Sequence, residues 1–215
     1  DPGVRFIGIN IVAADAHKHG AIPLVGDART ILTQLTCALA GWRVPSAHRA
    51  AVARARDAWN GTRATLVASK RGVALTQAQV IDELNRACGA DGTIVHASGG
   101  IPGDVHKLWR SHAWNDYHSE YGYSCMGYEI AGAPGVKLAE PKREVYAFLG
   151  DGSYLMLHTE IVTAVQEGLR LTIVLVDNHG FGCIHGLQRG CGGNSFGNEF
   201  RSRVAASGRL EGAPV

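Results

Sequence analysis

The sequence predicts an α/β protein with a parallel sheet and ligand-binding loops at the strand ends. Three observations lead there. Glycine accounts for 28 of 215 residues, well above the usual share of about 7%. Of these, 21 fall in residues 86–215, so that stretch holds backbone that turns tightly or approaches a ligand closely. Two aliphatic runs, 144–149 and 171–176, end in Gly150-Asp151-Gly152 and Asp177-Asn178-His179-Gly180. One apolar-faced helical stretch separates them, so the order is strand, loop, helix, strand, and the two strands should be parallel and covered on both faces.

Composition excludes several classes. Hydrophobic residues are 46% and charged residues 19%, enough apolar surface to rule out dominant disorder. No apolar run approaches the roughly 18 residues of a membrane span. A net charge of +2 gives no argument for nucleic acid. The five cysteines form no C-x-x-C pair, and no secretory leader opens the chain, so reduced thiols in a cytoplasmic protein are expected. Because the chain begins at Asp1 almost directly with strand-like sequence and ends at Val215 without a closing element, it reads as a fragment of a longer polypeptide.

Arg5 to Val12 reads as a buried strand and Ala21 to Val25 as a second one. Ala28 to Leu39 places Ile31, Leu35 and Leu39 on one helical face. Residues 42–71 carry seven Lys/Arg against the single acid Asp57. With Ser46 as N-cap, a helix is expected through about Asn60. A basic helix could track phosphates, but without aromatic interleaving a solvated interdomain helix is the better reading. Thr76 to Arg86 reads as an amphipathic helix and Thr93 to His96 as a short strand. Ser98-Gly-Gly-Ile-Pro-Gly103 reads as a turn or ligand cradle. Gly122 to Gly135 is a second glycine-bearing loop leading into a helix of small residues. His158, Ile161, Val162, Val165 and Leu169 mark one helix.

The chemistry sits where strands end, since ligands of open α/β sheets bind there. Asp151 offers a carboxylate, Asn178 an amide oxygen and Gly180 a backbone carbonyl. These hard oxygen donors suit Mg²⁺ but fall short of an octahedron, which diphosphate oxygens and a water could complete. The N–H groups of Gly152 and Ser153 stand at a helix N-terminus and favour a phosphate. Gly-Asp-Gly alone also makes an ordinary turn. Followed after 24 residues by Asp177-Asn178, each at a strand end, it is far more specific.

This pattern resembles the metal–diphosphate motif of thiamine-diphosphate enzymes, which begins Gly-Asp-Gly and closes with an Asn pair. Asp177 stands for the first Asn, while the family's metal ligand corresponds to Asn178. The resemblance implies that Gly150, Asp151, Gly152, Ser153, Asn178 and Gly180 hold thiamine diphosphate and Mg²⁺, with Asp151, Asn178 and Gly180 as metal ligands. Ser124-Cys-Met126-Gly127-Tyr128 is similar to the segment in which a bulky apolar residue wedges between the cofactor rings. Met126 takes that place and the Ser124 backbone faces the aminopyrimidine, although a lone Met also serves as core filler. The loop Ser98-Gly99-Gly100 is where family members add backbone contacts to the diphosphate.

Nearly the whole chain resembles one branch of that superfamily, the trihydroxycyclohexanedione hydrolases of myo-inositol catabolism. The strings Pro102 to Trp109, His185-Gly-Leu-Gln-Arg189 and Phe196 to Arg201 carry this likeness. It implies that residues 1–45 end a central α/β domain, 46–85 form a basic helical linker, and 86–215 make the diphosphate domain without its last strands. That truncation would leave an unpaired apolar sheet edge. The implied activity is hydrolytic opening of a cyclic vicinal diketone of polyol type, to 5-deoxyglucuronate, in a homo-oligomer. The activating Glu of the family belongs to a domain outside this chain, so the 215 residues alone are expected to be inactive. An acetolactate-synthase-like carboligase or decarboxylase shares the Gly-Asp-Gly and Met-Gly signals, and a non-catalytic fragment is a further alternative.

In the family, the stretch after the metal-binding Asn lines the substrate side. His179, His185 and Gln188 are therefore candidates to bind a polyol or move protons. Surface or structural roles fit them equally. Cys183, His185 and Cys191 raise zinc, although their spacing fits no common zinc pattern. Cys183 and His185, two apart on an extended strand, would also share a face as a nucleophile and base.

Overall fold

The computed structural model describes residues 3–69, 72 and 74–215. The chain divides into two compact units, residues 1–59 and 60–215. Positions 70, 71 and 73 of the expected linker lie outside the described residues.

In the first unit, β1 (Ile7–Asn10) pairs in parallel with β2 (Ile22–Val25), with Ile7 opposite Ile22. The short helix α1 (Ala13–Ala16) connects them and buries Ala16. Next comes α2 (Ala28–Ala38), capped by Asp27, whose carboxylate accepts the Thr30 amide at 2.9 Å. The expectation of a buried first strand is corrected here: Ile7 is 56% exposed. A two-stranded sheet has two open edges and too few helices to cover it.

The basic segment is one helix, α3 (Ser46–Ala68). Its first i→i−4 bond runs from Arg49 N to the Pro45 carbonyl, so Ser46 is already helical and not the cap. The helix also runs past Asn60, through Gly61. Its last turns belong to the second unit, where Arg63 is buried. Helix α4 (Gln77–Cys88) starts with a capping box in which Thr76 and Gln79 bond each other's backbone, satisfying two otherwise unpaired amides.

The second unit is built on a four-stranded, all-parallel sheet. Its strands are β3 (Gly92–His96), β4 (Tyr117–Ser119), β5 (Glu144–Gly150) and β6 (Thr172–Val176), in spatial order β4-β3-β5-β6. The chain goes from β3 outward to β4, then back across to β5 on the other side. The strand order therefore reverses between β3 and β5, and a crevice opens at their carboxyl ends.

Helices cover both faces, and strand alternation assigns the residues. Ile94 of β3 and Phe148 of β5 pack with Ile81 and Leu84 of α4 and with Ile101, Val105 and Leu108 of α5 (Gly100–Leu108). Val95, Val145, Ala147 and Leu149 point the other way, onto Ile130 and Ala133 of α6 (Tyr128–Ala139).

Three expectations are corrected. The glycine loop at 98–103 is half helix: α5 begins at Gly100. Pro102 sits in the first turn, where a missing N–H costs no intrahelical bond. The helix expected over His158 to Leu169 is shorter, α8 (Glu160–Gln166), and is separate from α7 (Asp151–Leu157), which starts at the Gly-Asp-Gly segment. β6 is not covered on both faces. It is an edge strand, pairing among the described residues only with β5, and Ile173 and Leu175 are 36% and 45% exposed. An aliphatic run does not reveal whether one face or two will be covered. β6 thus forms an apolar edge of this sheet. After it come α9 (Gly182–Gly190) and an antiparallel pair, β7 (Arg201–Arg203) and β8 (Leu210–Pro214).

Candidate cofactor site

A cavity of about 220 Å³ opens at the strand ends. Ser98, Gly99 and Gly100 come to it after β3, Ser124 and Met126 after β4, Gly150, Gly152 and Ser153 after β5, and Asn178 and Gly180 after β6. All four strands thus send their following loop to one place, as the strand-order reversal requires.

The loops are locked to one another. Gly180 N donates to Asp151 Oδ2 at 2.7 Å. With its amide nitrogen turned to the orientation its neighbours satisfy, Asn178 donates to the Gly180 carbonyl at 2.8 Å and to Asp151 Oδ1 at 3.1 Å. Three oxygen-bearing groups of two loops therefore converge on one spot. A divalent cation there would turn the Asn178 oxygen inward and give an all-oxygen set of the kind Mg²⁺ prefers. Ser98 Oγ and Ser124 Oγ lie 2.6 Å apart, bridging the loops after β3 and β4. Ser124 and His179 both hold φ near +60°, a conformation costly for residues other than glycine and concentrated at binding loops.

Two glycines are required by close approach. A Cβ on Gly152 would stand 2.8 Å from the Phe181 ring. A Cβ on Gly180, where φ is +140°, would meet the Asn198 carbonyl at 2.2 Å. The N-terminus of α7 borders the cavity at Gly150, Gly152 and Ser153, a place that favours an anion. The residues present fit both a metal and a diphosphate.

Of the expected site residues, Asp151 holds Gly180 from beneath, and Gly127 donates to Ser153 Oγ at 2.7 Å. His179, His185 and Gln188 do not line the cavity. His179 Nδ1 lies 3.2 Å from Asp177 Oδ1, and His185 Nδ1 lies 3.3 Å from Ser195 Oγ. Gln188 Oε1 accepts from Phe196 N and Asn198 Nδ2 at 3.1 and 2.8 Å. All three knit the segment after β6 together. Ser195 also donates to Glu199 at 2.5 Å, and hydrogen bonds from Arg201 and Ser195 draw the Glu199 carboxyl down to about 2.

The extended Cys183–His185 pair is corrected, because both lie on α9. Two residues apart on a helix do not face each other, and Cys183 lines the cavity while His185 turns to Ser195. Among the described residues no three His, Cys, Asp or Glu side chains gather to hold a metal, so Cys183, His185 and Cys191 do not form a zinc site. No described helix is long and apolar enough to cross a membrane.

Several lining residues escaped the sequence reading: Ile101 and Pro102 of α5, Tyr121, and Phe181, Gly182 and Ile184 at the start of α9, beside Cys183, which the sequence suggests only for zinc or as a nucleophile. Residues 181–184 directly follow the Asp-Asn-His-Gly string, which was the available signal. Glu129 was also missed. It is fully buried beneath the loops, a lone acid in a run of small apolar residues.

A parallel sheet whose reversal point gathers glycine loops, a helix N-terminus and a cluster of oxygen donors defines a cofactor-binding α/β domain. Residues 97–209, just over half of the chain, match the family described as thiamine pyrophosphate enzyme, C-terminal TPP binding domain. The chain belongs to that family. Among curated relatives it is 42% identical over 234 aligned positions to 3D-(3,5/4)-trihydroxycyclohexane-1,2-dione hydrolases of Bacillus cereus (strain AH820) and Bacillus anthracis. A Bacillus thuringiensis (strain Al Hakam) relative of the same name is 41% identical. These alignments cover 97–98% of this chain, which spans only 36% of the relatives' length. The solved thiamine diphosphate-dependent 4-hydroxybenzoylformate decarboxylase of Rhodococcus jostii RHA1 shares the fold. Its TM-score is 0.56 at 22% identity, over 61% of this chain and 25% of that one.

Proposed function

We propose that this chain is the diphosphate-holding part of a thiamine-diphosphate- and Mg²⁺-dependent hydrolase that opens a cyclic vicinal diketone, trihydroxycyclohexane-1,2-dione, in inositol catabolism. The observation that carries the cofactor half is the convergence of Asp151, Asn178 and Gly180 beside the open N-terminus of α7. The likeness to the Bacillus hydrolases along nearly the whole chain supports the substrate half.

Asp151, Asn178 and the Gly180 carbonyl would hold the metal. The Gly152 and Ser153 amides and the Ser98–Gly100 backbone would hold the diphosphate, and Met126 would set the bend between the rings. When bound, the cofactor supplies an electron sink at the carbon bond to be broken. This chain's own residues bind and orient it and wall the reaction from water on this side. The activating carboxylate is assigned to residues outside this chain, contributed across a homo-oligomer in the cytoplasm. Residues 1–45 are assigned to the end of a central domain, 46–85 to a linker and 86–215 to the diphosphate domain. His179, before α9, and His185 and Gln188, on it, are proposed for the substrate side, outside the described cavity.

The test is to assay the polypeptide as the cell makes it on the cyclic dione and on pyruvate, with and without thiamine diphosphate and Mg²⁺. Ring opening that depends on both additions is the expected result. Turnover of pyruvate alone would replace the hydrolase with a carboligase or decarboxylase, and no turnover of either would favour a non-catalytic role.

A further inference from the structure

Glu129 sits in the first turn of α6, beneath the cavity, with no exposed surface. Its Oε2 accepts the Gly127 amide at 3.0 Å and the Ser153 hydroxyl at 2.8 Å. Ser153 Oγ in turn accepts from Gly127 N at 2.7 Å. Gly127 directly follows Met126, and Ser153 stands two residues after Asp151. One carboxyl oxygen thus joins the loop after β4 to the first turn of α7. The other oxygen, Oε1, is buried and has no partner among the described residues.

A buried carboxyl is an expensive way to fill a core, because the group loses its water and here regains hydrogen bonds on only one oxygen. Burial pushes its pKa up, against the pull of hydrogen bonds from Ser153 and from the Gly127 and Ala97 amides. An apolar residue would pack the same space at lower cost. What an apolar residue could not do is accept from both Gly127, the neighbour of the cavity-lining Met126, and Ser153, which lines the cavity from the start of α7.

We infer that Glu129 is a positioning residue: through Gly127 and Ser153 it sets the distance between Met126 and the N-terminus of α7, and so the fit of the thiamine diphosphate between them. The inference rests on that cofactor being the ligand of the cavity. It predicts that loss of the shared acceptor loosens cofactor binding more than it loosens the fold.

The test compares wild type, Glu129→Ala and Glu129→Gln in the polypeptide as the cell makes it. Thiamine diphosphate is titrated in the presence of Mg²⁺, the thermal midpoint is measured without cofactor, and kcat is separated from the KM for cofactor. Gln keeps an oxygen for Gly127 and Ser153, so Glu129→Gln should bind within about threefold of wild type, whereas Glu129→Ala should bind at least about tenfold more weakly, as for loss of a supporting partner. The loss should lie in the cofactor KM, with kcat at saturation largely kept. Ala and Gln lowering the midpoint together, with unchanged cofactor affinity, would overturn the inference and leave Glu129 a folding residue. If Glu129→Ala does not fold, Ser153→Ala removes the same link from the other side and should show the same loss; retention of affinity there would overturn the inference equally. A wild type that binds no thiamine diphosphate overturns the cofactor reading itself, and the role of Glu129 with it.

Discussion

The Gly180 amide donates to Asp151 Oδ2 at 2.7 Å, a bond spanning 29 residues of sequence. It ties the loop after β6 to the start of α7 and leaves the other oxygen of Asp151 facing the Asn178 amide. The same carboxylate thereby holds together the proposed metal site and would supply part of it.

Asp151→Ala should remove a metal ligand and the Gly180 bond at once. Supporting partners of a metal site typically cost about 10–100-fold in affinity, so a ligand with both roles should cost at least that. Isothermal titration of thiamine diphosphate with Mg²⁺ measures it. Normal retention of cofactor by the variant would place the metal elsewhere.

Glycine substitutions separate fold from cavity. In Gly180→Ala the new methyl meets a backbone carbonyl at 2.2 Å and φ is already +140°, so neither can relax cheaply. A loss of about 2 kcal/mol or more is expected, read as a lower urea midpoint. At Gly100 a Cβ meets only Cys183, at 3.8 Å, an ordinary contact. Gly100→Ala should keep its midpoint and weaken cofactor binding by intruding on the cavity. Equal effects of the two on stability would contradict this assignment.

Much of this arrangement was legible from spacing alone. Two aliphatic runs ending at Gly150-Asp-Gly152 and Asp177-Asn178 place their loops side by side, because a parallel sheet puts successive strand ends on one edge. What was illegible depends on partners distant in sequence. His185 was expected on an extended segment, yet Gly182–Gly190 is a helix with Ile184 and Leu187 on its outside. Ile173 and Leu175 read as core, and only the strand order reveals that β6 has a single neighbour. Glu129 carried no periodic signal, since its role exists only once Ser153, 24 residues away, is brought above it.

Arg63 of α3 pairs with Asp82 of α4, and both are buried. Arg63 Nε also donates to the Leu108 carbonyl at 2.9 Å, at the end of α5. Asp82→Ala should leave a buried guanidinium unpaired, costing about 3 kcal/mol. Burial alone would raise the Asp82 pKa, but the Arg63 hydrogen bond and charge, aided by Arg86, outweigh it and lower the value. A carboxyl lowered on folding contributes stability above its unfolded pKa of about 3.9 and loses it as pH falls through the folded value. Urea midpoints of the wild type should therefore drop below about pH 4 more steeply than those of Asp82→Ala. Parallel acid limbs would show that the pair adds nothing.

His96 ends β3 with no exposed surface and with neither ring nitrogen partnered among the described residues. Its ring packs edge-on against Tyr117 at 4.7 Å and His106 at 5.3 Å. Burial, with smaller contributions from His106 and His118, pushes its pKa down to about 4. The folded protein thus holds it neutral, while the unfolded chain protonates near pH 6.5. Between those values the unfolded state binds the extra proton, so stability must fall as pH drops from about 6.5 toward 4, by on the order of 3 kcal/mol. This window lies above that of Asp82, so the two limbs are separable in one pH series. His96→Phe removes both the titration and the orphaned nitrogens at similar size. It should match or exceed wild-type stability at pH about 5 and flatten the limb between about 6.5 and 4. Thermal midpoints measured across that range for both proteins decide it. A limb that survives in His96→Phe would assign the acid sensitivity to another group, with His118, whose pKa burial also lowers, the next to replace.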